Sequence, residues 1–335
     1  MRDSEFNFQN ILVIDFGQLG DVILSLPALK AIRDKFPDSH ITLLLGKPGA
    51  DVVRIADVSD DQILVDRVEL RDGNKIRSIG KILRLVKQIR SRKFDFVIDL
   101  HSLSETNILG FISGAKWRLF ATRENRSLDR LARFPTRPPK EDKTKHHAER
   151  YFDVLQPLGL EPGERRFSFK PLDSDLIEAK RLFAKLGIAG KTLIGLFLGA
   201  GHPGRRWKVD NFVELARRLS VDPQIQVLVL LGPEERDLRP GLDEKFGDSA
   251  IVIDEMPLLT FFAIVSHLNV FVSGDTGPLH LAAITDANIV LISEIGAPTV
   301  FTPLTDNLVV LKQCSVSDLG VEDVENAVMG FRDAK

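Results

Sequence analysis

Cysteine is almost missing from this chain: Cys314 stands alone among 335 residues. One thiol makes no internal disulfide and no thiolate cluster, which suits a reducing compartment. Cys314 itself reads as a small apolar filler at a strand end. Long apolar runs are missing too. None reaches the roughly 18 residues that a bilayer-spanning helix needs, and the opening "MRDSEFNFQ" is too acidic and polar for a secretory signal. No charge of one sign prevails, since 45 Lys and Arg face 47 Asp and Glu. Nothing global then attracts nucleic acid, which is not an expected partner, or an anionic membrane; such contacts need a local patch. There is no low-complexity tract and no short-period repeat. There is also no G-x-G-x-x-G fingerprint and no G-x-x-x-x-G-K-[ST] loop, which argues against a dehydrogenase.

What is present is a globular composition, 44% apolar and 27% charged, over a length that favours two domains. "ILVID", "HITLLLG", "DQILVD" and "FDFVIDL" read as buried parallel strands. Between them lie helical stretches. "LPALKAIRDKF" is expected to start a helix near Leu26, with Pro27 in its first turn. "KIRSIGKILRLVKQIRSRK" puts Ile79, Ile82, Leu83, Val86 and Ile89 on one stripe. The alternation restarts after a stretch rich in Pro, Gly and charge, residues 160–175, with "TLIGLFLG", "IQVLVLLG", "AIVID", "NVFVSG" and "NIVLIS" as strands. The fold class expected is α/β, with two Rossmann-like doubly wound parallel-sheet domains facing a central cleft. Their spans are 1–165 and 166–320, and residues 321–335 form a C-terminal helix free to cross back to the first domain.

Three turns at strand ends hold the candidate chemistry. "GQLGD" carries Gly17 and Gly20, which let a ligand approach the backbone, and Asp21. Asp21 is either a helix cap or a catalytic carboxylate, and the residues alone leave both open. "LGAGHPGRRWKVDNF" carries Gly199 and three cations, Arg205, Arg206 and Lys208, beside Trp207. Guanidinium groups suit phosphate oxygens because they donate in a fork; a solvated surface is the plainer alternative. "SGDTGPLHLAA" carries Gly274, Asp275, Thr276 and Gly277 ahead of a helix, an arrangement that presents N–H groups to an anion such as a diphosphate.

The strings "ILVIDFGQLGDVILSLPALKAIRDKFPDSHITLL", "FDFVIDLHS", "LGAGHPGRRWKVDNFVELARRL", "LLGPEERDL" and "FVSGDTGPLHLAA" occur in that order. Together they resemble the ADP-heptose:lipopolysaccharide heptosyltransferase family, glycosyltransferase family 9, from about residue 10 to 330. The resemblance implies a GT-B fold, with the donor on the C-terminal domain and the acceptor, a growing lipopolysaccharide inner core, on the N-terminal one. It implies an inverting transfer without a metal and with no cofactor beyond the nucleotide-sugar donor, ADP-heptose in the first instance. Asp21 matches the family's catalytic base. Arg205 stands where the family has a diphosphate-binding lysine. Asp275, Thr276, Gly277 and His280 match the turn that meets the donor phosphates and sugar, and Glu235 the glutamate that meets the ribose. Three positions depart from the pattern. Arg205 keeps charge but changes geometry. Asp15 replaces a basic residue and is expected to repel an acidic neighbour. Glu294 and Ile295 stand where Gly and Pro are usual, beside the donor site. The implied localisation is cytoplasmic, with peripheral contact at the inner face of the inner membrane.

Smaller signals have plainer readings. Asp173 to Asp175 mimics a D-x-D metal motif but is explained by capping. His146 and His147 read as a solvated pair, and no metal site is expected. His101, after "FDFVIDL", is a candidate acceptor contact. Residues 116–150 hold eleven Lys or Arg against five Asp or Glu. They read as a mobile basic loop that would attract an anionic lipid-linked glycan or a membrane surface.

Overall fold

A computed structural model describes residues 7–66, 75–163 and 167–333. The chain forms two compact units. The first takes the described residues up to Phe167, together with Val300–Thr302. The second takes Ser168–Thr299 and the chain from Pro303 onward. The segment 160–175 expected to part the domains includes residues 164–166, which lie outside the described residues, as do residues 1–6 of the polar opening.

The first unit is built on β1 (Asn10–Asp15), β2 (His40–Gly46), β3 (Asp61–Val65), β4 (Phe96–Asp99) and β5 (Trp117–Phe120). All are parallel, in the order β3-β2-β1-β4-β5. Ile11 to Ile14 of β1 are wholly buried, as a central strand covered on both faces requires. Ile14 pairs with Asp99, so the carboxyl ends of β1 and β4 lie side by side. The helices are α1 (Leu19–Lys35), α2 (Ala50–Ile55), α3 (Lys75–Ser91), α4 (Ser104–Ile112) and α5 (His147–Leu155).

Three expectations change here. Helix α1 starts at Leu19, not near Leu26, so Pro27 sits inside it. Proline removes an intrahelical hydrogen bond, but Val22 to Leu29 are all buried, and that packing outweighs the local preference. The basic stretch 116–150 is not an irregular loop. It contributes β5, buries Leu119 and Phe120, and returns along β5 through an antiparallel bridge between Arg118 and Arg133. Much of its charge is paired: Arg137 with Asp129, Lys145 with Asp153, and Arg123 and Arg150 with Glu141. In α3 only one end of the apolar stripe is covered. Ile89 is buried, whereas Ile79, Ile82 and Leu83 are exposed.

The second unit is built on β6 (Thr192–Phe197), β7 (Ile225–Leu230), β8 (Ile251–Ile253), β9 (Val270–Ser273), β10 (Asn288–Glu294) and β11 (Leu308–Gln313). These too are parallel, ordered β11-β10-β9-β6-β7-β8. The helices are α6 (Asp173–Lys185), α7 (Val209–Leu219), α8 (Leu242–Phe246), α9 (Leu258–Val265), α10 (Gly277–Ala283) and α11 (Val321–Asp333). The C-terminal helix α11 stays with this unit. It packs on α7 and buries Val324 and Val328 in the core that Phe212 and Leu215 share.

Trp207 joins that core to the cationic turn. It is buried, its ring meets Phe212 edge-on at 4.8 Å, and its indole N–H donates to the Leu319 carbonyl at 3.0 Å. Trp207→Ala is expected to lower the unfolding free energy by about 3–5 kcal/mol, read from urea melts.

Candidate active site

The turn after β1 is built around one carboxylate. Because α1 begins at Leu19, Gly20 and Asp21 lie in its first turn, where backbone N–H groups lack helical partners. The Gln18 N–H donates to Oδ2 of Asp21 at 3.0 Å. Oδ1 lies 3.7 Å from Nε2 of His147, and the Asp21 side chain stays 31% exposed. Asp21 thus caps through one oxygen, lies near a histidine with the other, and keeps part of its side chain exposed.

His147 is not a solvated loop residue. It opens α5, its side chain is largely buried, and its Nε2 lies 3.0 Å from the Tyr151 hydroxyl. That hydroxyl also reaches the Asp21 carbonyl, at 3.3 Å. Tyr151 is fully buried, and burial pushes its pKa up, with the charges of Asp15 and Asp21 adding to the effect. It stays a neutral donor. His146 is also engaged, capping α5 through Nδ1 and reaching the Thr302 carbonyl at 2.8 Å through Nε2. Phe301 of the same segment lies against the His147 ring, with centroids 4.9 Å apart.

Gly17 explains how the turn closes. A Cβ there would come within 2.5 Å of the Asp21 Cβ and 3.1 Å of Asp15 Oδ1. Glycine lets the two carboxyl-bearing residues pack from either side. Asp15 is buried and accepts the Gly17 N–H at 2.9 Å. Burial is the largest influence on it and raises its pKa; the charge of Asp21 raises it further, against hydrogen bonds from Ser25 and Gly17. The expected repulsion thus acts on Asp15 itself and favours its neutral form. Beside it, at the end of β4, burial pushes Asp99 up to about 7 despite hydrogen bonds from the Ser102 N–H at 2.6 Å and Asn107 Nδ2 at 2.7 Å. Arg123, itself buried, lowers both pKa values and lies 3.5 Å from Glu141. His101 follows β4, half-buried, with its ring 6.5 Å from that of Phe16.

In the second unit the turns after β6, β7 and β9 converge. A Cβ on Gly199 would meet Oε1 of Glu235 at 2.2 Å and the Phe197 ring at 2.5 Å. Glu235 is buried and accepts the Gly232 N–H at 3.1 Å; burial raises its pKa, which the charge of Arg206 opposes. The Gly201 N–H donates to the Asp275 carbonyl at 3.1 Å, tying the β6 turn to the β9 turn. Gly274 completes the junction, since a Cβ there would sit 3.5 Å from the Gly199 carbonyl.

The three cations separate by role. Arg206 pairs with Asp237 at 3.0 Å. The Arg205 and Lys208 side chains are exposed and make no hydrogen bond or ion pair among the described residues. Thr276 caps α10, its hydroxyl accepting the Leu279 N–H at 3.3 Å and lying 3.1 Å from Ser273 Oγ. Asp275 is exposed, Gly277 is the first residue of α10, and His280 is buried one turn further on. Helix α10 has only seven residues, so its N-terminal field comes from local N–H groups more than from a long macrodipole. Glu294 ends β10, with Ile295 exposed beyond it. Asp173 and Asp175 lie in the first turn of α6, where Leu172 occupies the cap position without a side-chain bond.

Two parallel-sheet α/β units, each with its polar turns at the carboxyl ends of the central strands, give the chain a fold of the GT-B class. The chain belongs to glycosyltransferase family 9 (heptosyltransferase), whose family model matches residues 82–322. It is 21% identical over 294 residues to lipopolysaccharide heptosyltransferase 3 of Escherichia coli, covering 87% of this chain and 84% of that one. It is 19% identical over 279 residues to the lipopolysaccharide core heptosyltransferase OpsX of Haemophilus influenzae, covering 82% and 76%. Its fold matches a glycosyl transferase family 9 protein from Veillonella parvula with a TM-score of 0.84, at 22% identity and 99% coverage of both chains. It also matches E. coli ADP-heptose LPS heptosyltransferase II with a TM-score of 0.79, at 17% identity, over 98% and 100%.

Asp99 gives this cluster a pH signature. Its folded pKa is raised from 3.8 to about 7, so the native state holds a proton that the unfolded chain has lost. The contribution of Asp99 to stability is then greatest at and below about pH 4. It falls by up to about 1.4 kcal/mol per pH unit as pH rises toward 7 and levels off above. Asp99→Asn is expected to flatten that decline, read from urea midpoints at several pH values across the window.

Proposed function

We propose that the chain moves a sugar, heptose in the first instance, from a nucleotide-sugar donor to a lipopolysaccharide-core or other cell-envelope glycan, with inversion and without a metal. The observation that carries this reading is the division of labour at Asp21. Its Oδ2 is held by the Gln18 amide, its Oδ1 lies 3.7 Å from Nε2 of His147, and the side chain as a whole stays 31% exposed. A general base must be held in place yet keep a lone pair for the incoming proton. Asp21 takes the proton of the acceptor hydroxyl as that oxygen bonds to the anomeric carbon from the face opposite the leaving group. The carbon–oxygen bond to the nucleotide diphosphate breaks, and the diphosphate departs with the electron pair. Gly17, Gly20 and His101 are assigned to the acceptor side.

The leaving diphosphate needs positive charge and N–H donors. Arg205 and Lys208 are the cations that no carboxylate neutralises in the second-unit turn. The glycine junction of Gly199 and Gly274 leaves backbone room beside them. Glu235, Asp275, Thr276, Gly277 and His280 are assigned to the remaining donor contacts. Support for an adenine nucleotide comes from a solved relative, E. coli heptosyltransferase WaaC with ADP, which shares this fold with a TM-score of 0.77 at 17% identity. A cytoplasmic setting follows from such a donor.

A different nucleotide-sugar donor is the second reading. It is favoured by Arg205 at the lysine position and by Glu294 and Ile295 at the end of β10. Calorimetric titration with ADP-heptose and with UDP-, GDP- and dTDP-sugars distinguishes the two; preference for a non-adenine nucleotide would replace the first.

Asp21→Asn is expected to lower turnover by about 10²–10⁴ while donor affinity changes little. Turnover close to wild type would remove Asp21 as the base. Arg205→Ala is expected to weaken donor binding by roughly ten- to a hundredfold, the loss of one charge-assisted hydrogen bond, measured in the same titration. Unchanged donor affinity would reassign the diphosphate contact.

A further inference from the structure

One surface of the first unit is unlike the rest. Among the described residues eleven large apolar side chains are exposed, and five of them sit on α3 and α4. Ile79, Ile82 and Leu83 are 58%, 44% and 64% exposed, and Ile108 and Phe111 are 41% and 50% exposed. The two helices pack against each other and both turn their inner sides, through Leu85, Ile89 and Leu109, to the same face of the sheet. Their outer sides therefore lie in one layer. Positions 79, 82 and 83 follow the i, i+3, i+4 spacing of a helical face, so the exposure is a stripe and not scatter.

The charge on α3 has one sign. Helix α3 contains no acidic residue in its sequence KIRSIGKILRLVKQIRS. Arg84, Lys87 and Arg90 are exposed and make no ion pair among the described residues. Next to Phe111, the Arg118 guanidinium lies 5.4 Å from the ring centre. Glu105 is the one carboxylate in α4. This differs from the basic stretch 116–150, where much of the excess is matched by Asp129, Glu141 and Asp153.

An apolar stripe flanked by unpaired cations is the pattern of a helix that lies in a lipid–water interface, with its apolar side chains in the acyl boundary and its cations at the headgroups. The contact core of a protein–protein interface is depleted of charged residues, lysine among them, whereas three cations accompany this stripe on one helix. We propose that the outer face of α3 and α4 docks on an anionic lipid bilayer, Ile79, Ile82, Leu83 and Phe111 entering the interface and Arg84, Lys87 and Arg90 meeting the headgroup phosphates. The proposal does not depend on the transfer chemistry. A chain that binds vesicles but moves no sugar still upholds it.

The test is flotation of the full chain with phosphatidylcholine vesicles, pure or doped with phosphatidylglycerol. Binding to the doped vesicles is expected to be at least about tenfold tighter, since each cation near such a surface is worth about 1 kcal/mol, and to weaken as salt rises. The double variant Ile82→Glu/Leu83→Glu is expected to lose binding to both. Arg84→Glu/Lys87→Glu is expected to lose the preference for doped vesicles. All four positions are exposed, so the thermal midpoints should stay near wild type; a third variant, Leu83→Ser, keeps the test open if a double variant fails to fold. Equal partitioning to both vesicle types, or binding that survives both double variants, overturns the proposal. So does a concentration-dependent dimer that Ile82→Glu/Leu83→Glu dissolves while vesicle binding is unchanged, because the stripe would then belong to a second copy of the chain.

Discussion

The hydrogen bond from the Gln18 amide to Oδ2 of Asp21 organises the first unit's site. It exists because α1 begins before the chain has moved away from β1, leaving a first-turn amide in need of an acceptor. The same bond restrains the carboxylate, whose second oxygen lies 3.7 Å from His147. The surroundings follow. Gly17 must lack a side chain, Tyr151 reaches the Asp21 carbonyl from α5, and His147 stands beside Oδ1.

Buried charge is the second constraint. Asp15 and Asp99 sit at the ends of adjacent central strands, away from water, and both shift toward the neutral form. Arg123 limits the shift without cancelling it. Polar groups placed this deep are costly unless hydrogen-bonded, and the Gly17, Ser102 and Asn107 donors meet much of that demand. In the second unit Glu235 has a similar place, buried against Gly199 and holding the Gly232 amide. Each sheet thus keeps a protonatable carboxyl group just under its polar turns.

Much of this was legible in the residues, and the limits have physical causes. Apolar runs ending in glycine and charge located the central strands and their turns, because a strand buried on both faces leaves little else it can be. The start of α1 was not legible. Gly20 and Pro27 are poor helix residues locally, and only tertiary burial of Val22 to Leu29 overrides them. Strand β5 is four residues of "WRLF" inside a basic stretch, too short for a periodic signal. His147 looked solvated because its partners, Asp21 and Phe301, are distant in sequence. The i, i+4 spacing of His147 and Tyr151 in "HAERY" was the one local sign that both point the same way. Among the three cations of the second turn, sequence could not tell that Arg206 is taken by Asp237 while Arg205 and Lys208 are not.

The segment Val300–Thr302 belongs to the first unit although the chain on both sides of it belongs to the second. Its Thr302 carbonyl meets His146, and Phe301 covers the ring of His147. The first unit is therefore not contiguous in the gene. A fragment cut at Phe167 would lack this segment, so His146 would lose the Thr302 carbonyl and His147 the Phe301 ring. Dissecting this enzyme by truncation would damage the neighbourhood of Asp21 from the far end of the chain, so its parts are better separated by grafting that tripeptide back than by cleavage alone.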